Sequence, residues 1–214
     1  TFPIKIFNND GNETTACGNG VRCVAYLIFK EINQKKILIE TKERLLNAEI
    51  LENSNVKVNM GKPKFEWADV PLVRNMDTNK IKFDEFEKLI GLGFCLNVGN
   101  PHIIFFVSDC NKIDIKKLGP KIENFKIFPE KVNVTFAQVL DKKNIKINVW
   151  ERGAGQTKAC GTAACATAVA ANKKGYTDKE LNIHFLEGKL KIDYYEEIFM
   201  TGPVSEVKQV NLEI

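Results

Sequence analysis

An internal echo constrains this chain more than any other feature. The segment Thr15-Ala16-Cys17-Gly18-Asn19-Gly20-Val21-Arg22-Cys23-Val24-Ala25 is matched by Lys158-Ala159-Cys160-Gly161-Thr162-Ala163-Ala164-Cys165-Ala166-Thr167-Ala168. In both, Ala-Cys-Gly opens a helical pattern after a glycine-containing loop, Asp10-Gly11 in one case and Gly153-Ala154-Gly155 in the other. The copies are separated by most of the chain, whereas solenoid repeats recur about every 20–50 residues. The echo therefore points to two related domains, each presenting one copy.

The chemistry of each copy follows from its place. A cysteine at the first turn of a helix sits among unpaired backbone N–H groups and at the positive end of the macrodipole, so its thiolate forms more easily than at the usual pKa of about 8.5. Gly18 and Gly161 carry no side chain, which lets an anionic group approach the exposed amides. Two such sites facing one another would hold a carboxylate between two helix ends with a sulfur on either side of the adjacent carbon. One thiolate could then remove an α-proton while the opposite thiol protonates the other face. Neither a pyridoxal-phosphate lysine context nor a dinucleotide glycine fingerprint is recognisable, so no cofactor is implied.

Cysteine is also among the most buried residue types. Packing is the expected role of Cys23, Cys95, Cys110 and Cys165, and it competes with catalysis for Cys17 and Cys160. Cys17 to Cys23 and Cys160 to Cys165 lack the tight paired spacing of structural zinc sites, so no metal is expected. A disulfide between Cys17 and Cys160 would be an oxidised, inactive form.

Composition sets outer bounds. Hydrophobic residues at 44% and charged residues at 27% are those of a globular chain, which argues against disorder or a fibre. The net charge of +4 arises from scattered doublets such as Lys35-Lys36 and Lys142-Lys143, a weak basis for a nucleic-acid partner, and none is expected. No apolar run reaches the roughly 20 residues of a membrane span and no signal-peptide layout is visible, so a cytoplasmic location is expected. The cysteines are then read as reduced thiols.

Strands are expected at 5–7, 37–41, 56–60, 132–136 and 145–150, and helices at about 21–31, 84–90 and from Cys160 to Lys174, where Gly175 stops the pattern. Residues 65–83, with little periodicity, read as a connecting region. The fold class is α+β with strands dominant.

Five motifs fall in order along the chain: Phe7-Asn8-Asn9-Asp10-Gly11; Ala16 to Cys23; Gly99-Asn100-Pro101-His102; Val132-Asn133-Val134; and Glu151-Arg152-Gly153-Ala154-Gly155-Gln156-Thr157-Lys158-Ala159-Cys160-Gly161-Thr162. Together they resemble the diaminopimelate epimerases. That resemblance implies Cys17 and Cys160 as the catalytic pair and Gly18, Asn19, Gly161 and Thr162 as amide donors to the reacting carboxylate. It implies Asn8, Asn100, Asn133, Glu151 and Arg152 as lining of the substrate pocket, with His102 and Glu151 tuning the cysteines. An arginine suits a second carboxylate, and asparagine amides both donate and accept. Read alone, the asparagines could serve turns, His102 a loop cap, and Glu151-Arg152 a surface pair.

The family fold has two similar domains, each a curved sheet around a central helix with the active site in the cleft between them. This places the first domain at 1–62 plus 204–214 and the second at 63–203. The implied reaction interconverts LL- and meso-2,6-diaminopimelate, a step of lysine and peptidoglycan precursor synthesis, and a homodimer is expected. Ala163 and Asn12 stand where the family typically has Gly and Ser. The family also carries a stretch ahead of Asn8, with two further substrate contacts, that has no counterpart here; low or absent activity of the isolated chain is the expectation. Alternatives are another cofactor-independent racemase or isomerase of the same superfamily, such as a proline or hydroxyproline racemase, although those racemases typically show His where this chain has Asn19, and a non-catalytic thiol sensor on the same scaffold.

Overall fold

Alternation in the segment around Val56, Val58 and Met60 puts apolar side chains on one face and Lys57 and Asn59 on the other, and all three apolar residues are buried. The same pattern organises most of the molecule. A computed structural model describes residues 1–7, 13–14, 18–42 and 44–205, with only the backbone of 7, 13 and 14.

The chain begins with the short strands β1 (Phe2–Pro3), β2 (Ile6–Phe7) and β3 (Glu13–Thr14), followed by helix α1 (Gly18–Ile32). An antiparallel run, β4 (Lys36–Glu40), β5 (Leu45–Ile50) and β6 (Asn55–Gly61), packs on α1. After a long connection come the single turn α2 (Glu87–Ile90), strands β7 (Gly93–Asn97) and β8 (Pro101–Phe106), and helix α3 (Ile115–Glu123). Strands β9 (Asn133–Asp141), β10 (Asn144–Glu151) and β11 (Gly155–Thr157) lead into α4 (Gly161–Lys173), and β12 (Glu180–His184), β13 (Lys189–Tyr194) and β14 (Ile198–Pro203) follow.

Among the described residues one sheet runs in the order β1-β4-β5-β6-β14-β13-β12-β10-β9-β8-β7, with β11 paired to β10. β14 is its seam: it pairs antiparallel with both β6 and β13, joining early and late parts of the chain. The pairs β8/β9 and β10/β12 are parallel. This is the expected α+β architecture, rich in strands.

The two longest helices occupy one core. α1 turns Val21, Ala25 and Ile28 inward, the spacing of a single helix face. α4 is buried on nearly all sides from Gly161 to Ala171, and its alanines and other small residues let strands approach it from several directions. A second core lies under β7–β9, where Phe83, Phe105 and Phe136 are buried and Phe105 stacks on Phe136 with centroids 5.6 Å apart.

The expected strands and long helices are present, and residues 65–83 form no regular element, although Val70, Leu72, Ile81 and Phe83 contribute to the second core. The helix expected over 84–90 shrinks to one turn. Helix α3 was not foreseen because Gly119 and Pro120 lie inside it; Asp114 starts it by accepting the Lys117 N–H at 3.1 Å. Cys95, Cys110 and Cys165 are fully buried, as the packing reading requires. Cys23 is a correction: it is exposed. It lies two residues from Val21 and from Ala25, so at about 100° per residue it faces away from the buried stripe.

Candidate active site

Cys160 caps α4 from an extended backbone conformation, φ −137° and ψ 115°, and its carbonyl accepts the Ala164 N–H at 3.1 Å. The amides of Gly161, Thr162 and Ala163 therefore begin the helix without intrahelical acceptors. The thiol is 5% exposed and lies 3.4 Å from the Thr162 hydroxyl. Burial and the neighbouring Glu151 carboxylate push its pKa up, while the Thr162 hydroxyl and Ala163 N–H pull the other way. Cys160 is thus a protonated thiol at neutral pH without ligand.

The start of α1 meets the start of α4. A Cβ placed on Gly161 would lie 3.6 Å from the Gly18 Cα. Between and beside these glycines sits Met200 of β14, fully buried, its Cε 2.6 Å from a Cβ placed on Gly18 and its Sδ 2.9 Å from one on Gly161. A side chain at either position would have to displace the Met200 thioether, which fills that space. Arg22, one turn into α1, donates to the Met200 sulfur at 3.5 Å. A cavity of about 150 Å³, lined in part by Asn19, Arg22, Ala159 and Phe185, opens beside these helix ends. Larger concavities along β4–β6 and β13–β14 contain no cysteine or histidine in their walls.

The hairpin β10–β11 carries Glu151 and Arg152 at its turn and returns the chain to Cys160. Asn133, 3% exposed, donates to the Pro101 carbonyl at 2.8 Å and accepts the Arg152 N–H at 3.0 Å, so its amide links the two loops. The exposed Arg152 side chain donates to the Glu130 carbonyl at 3.0 Å. His102 is fully buried at the start of β8, its Nε2 2.8 Å from the Asn100 Oδ1. Glu151 is the charged group that acts on Cys160, whereas Arg152 acts on His102. Cys17 and Asn8 lie outside the described residues. Among the described residues no group of three or more His, Cys, Asp or Glu side chains is placed to hold a metal ion, and no helix is long and apolar enough to cross a membrane.

Burial, with the Arg152 charge, lowers the His102 pKa to about 3. The unfolded chain takes up a proton here below about pH 6.5, and the folded chain does not until about pH 3, so this contribution to stability is complete above the upper limit and is lost as pH falls through the interval. The expected loss at pH 5 relative to pH 7 is about 2 kcal/mol. Urea titrations at both pH values should show this difference in the wild type and a smaller one in His102→Gln; equal pH dependences would contradict the buried neutral imidazole.

Sequence reasoning singled out neither Met200 nor Glu123, whose carboxylate braces the β10–β11 turn. Neither sits in a motif, and only the low solvent exposure expected for Met200 in an alternating strand was available as a signal.

The family model for diaminopimelate epimerase matches residues 1–66 and 94–207. The diaminopimelate epimerase of Pelagibacter ubique is 49% identical, covering 99% of this chain and 79% of the relative. That of a Wolbachia species is 42% identical, covering 94% and 77%. The structure of a predicted epimerase from Pseudomonas aeruginosa superposes with a TM-score of 0.69 at 14% identity, covering 98% of this chain and 78% of that one. A PhzF-family phenazine biosynthesis protein of Enterococcus faecalis gives 0.66 at 13% identity, covering 94% and 74%; at such identities the likeness establishes the fold alone. With the family model spanning most of the sequence and close relatives matching nearly all of it, the chain belongs to the diaminopimelate epimerase family.

Proposed function

We propose that this protein interconverts LL- and meso-2,6-diaminopimelate by two-base proton transfer between Cys17 and Cys160, without a cofactor. The observation that carries the reading is the meeting of two helix N-termini at Gly18 and Gly161, each directly after one of those cysteines in sequence. A carboxylate held there receives N–H groups from both helices, chiefly around Asn19 and Thr162, as negative charge moves into it during loss of the α-proton. The thiolate of one cysteine takes that proton. The thiol of the other gives its own to the opposite face, so the carbon inverts and the two sulfurs exchange protonation states. The raised pKa of Cys160 suits it to begin as the donor.

Asn8, Asn100, Asn133 and Arg152 would engage the distal amino-acid end, and Glu151 would keep Cys160 protonated until substrate arrives. His102, neutral and bonded to Asn100, would hold that asparagine in place. In this reading 1–62 with 204–214 and 63–203 form the two lobes, and the protein is a cytoplasmic homodimer, which sedimentation and cell fractionation test. The function itself is tested by incubating the full-length protein with single stereoisomers of diaminopimelate in D₂O. The product isomer should carry one deuterium at the inverted α-carbon, and absence of both exchange and inversion would overturn the reading.

A further inference from the structure

We propose that Glu123 is a positioning residue that clamps the Glu151-Arg152 turn from both sides; its effect on catalysis rests on the function proposed above. Glu123 ends α3, and its side chain is 5% exposed. One carboxylate oxygen accepts the Trp150 indole N–H at 2.7 Å, and the other accepts the Gly153 backbone N–H at 2.9 Å. Trp150 is the residue before Glu151, and Gly153 the residue after Arg152. A single buried group therefore spans the two residues that the hairpin presents, while Asn133 holds the Arg152 N–H at 3.0 Å.

The rest of α3 is docked to make this reach. A Cβ on Gly119 would stand 2.5 Å from the Trp150 ring, so the indole lies flush on the helix backbone. Gly153 adopts φ +76°, the left-handed conformation that suits glycine, and so turns its N–H toward Glu123. Burying a carboxylate costs several kcal/mol unless its oxygens are satisfied. Here it makes charge-assisted bonds with two donors, and no ion pair of Glu123 is present among the described residues.

The chemistry requires an acid. Indole N–H and backbone N–H are both donors only, so the bridging group must accept at two atoms. Glutamine has the same shape but one acceptor oxygen, and its NH₂ would face one of the two donors. Aspartate keeps both acceptors with a shorter reach. Glu123→Gln is therefore the disruptive change and Glu123→Asp the partial rescue, the reverse of an ordering by size.

The test uses the full-length protein and both variants, with amide hydrogen exchange resolved over 150–155 and steady-state kinetics on diaminopimelate. Glu123→Gln should speed exchange at 151–154 by about tenfold or more, leaving β9 unchanged. It should raise KM about tenfold with a smaller change in kcat, because a displaced Arg152 weakens ground state and transition state alike. Glu123→Asp should fall between. In a Trp150→Phe background, which removes one donor, the glutamine change should cost less. Unchanged exchange at 151–154, or equal effects of the two substitutions, overturns the clamp. If the wild type does not act on diaminopimelate, the proposed function fails separately, and the exchange result still decides whether Glu123 holds the turn.

Discussion

Cys160→Ala should lower epimerisation by about 10³-fold or more, the loss expected when a positioned acid–base group is deleted. The thiol is nearly enclosed and its near neighbours, the Thr162 hydroxyl and the Ala163 N–H, belong to the first turn of α4, so alanine leaves the cap and that turn in place and the fold should persist. The remaining cysteine could still remove a proton from one face of one isomer, but nothing would return a proton to the other face. Inversion should therefore fall further than exchange of the α-hydrogen with D₂O. Chiral separation of the product, beside the deuterium content of recovered substrate, measures the two separately. Inversion retained within tenfold of the wild type would refute the two-thiol mechanism, and an unchanged melting temperature would show that loss of activity is not loss of structure.

Met200→Ala should cost about 2–5 kcal/mol of stability, the range for truncating a buried side chain whose surroundings cannot collapse. Collapse is blocked here because the flanking groups are helix backbones: Gly18 and Gly161 have no side chains to move into the vacated space. Arg22 also loses the sulfur it donates to. Met200→Leu, similar in volume, should cost less than about 1.5 kcal/mol. Activity should fall with the alanine variant even where it remains folded, since Met200 sets the spacing of the two helix ends whose N–H groups are proposed to hold the carboxylate. Urea unfolding gives the stability difference, and kcat/KM under fully folded conditions gives the second effect. A loss below about 1 kcal/mol would mean that the helix ends are held by other contacts.

Helix starts were readable because they are local. Ala-Cys-Gly marked the beginnings of α1 and α4 to within a few residues, since a helix N-terminus depends on a cap and a first turn. The error at Cys23 was also local: the stripe Val21, Ala25, Ile28 already excluded that position, and its apolar character was weighed instead of its phase. α3 escaped because Gly119 and Pro120 oppose helix on propensity. Its packing on Trp150 and the bonds of Glu123 to Trp150 and Gly153 outweigh that opposition, and both partners lie in the β10–β11 hairpin, which follows later in the chain.

The sequence by itself determined that there are two equivalent helix starts, that each carries a cysteine beside a glycine, and which motifs surround them. What only the tertiary structure decided is how those parts meet. β14 seats between β6 and β13 and delivers Met200 to the glycines of both helices, and α3 brings Glu123 under the turn that holds Glu151 and Arg152. The physical reason is range. Caps and periodicity act across a few neighbouring residues, whereas the spacing of two helix ends is fixed by side chains that pack from distant segments, and nothing in the local pattern around Met200 or Glu123 encodes what they will touch.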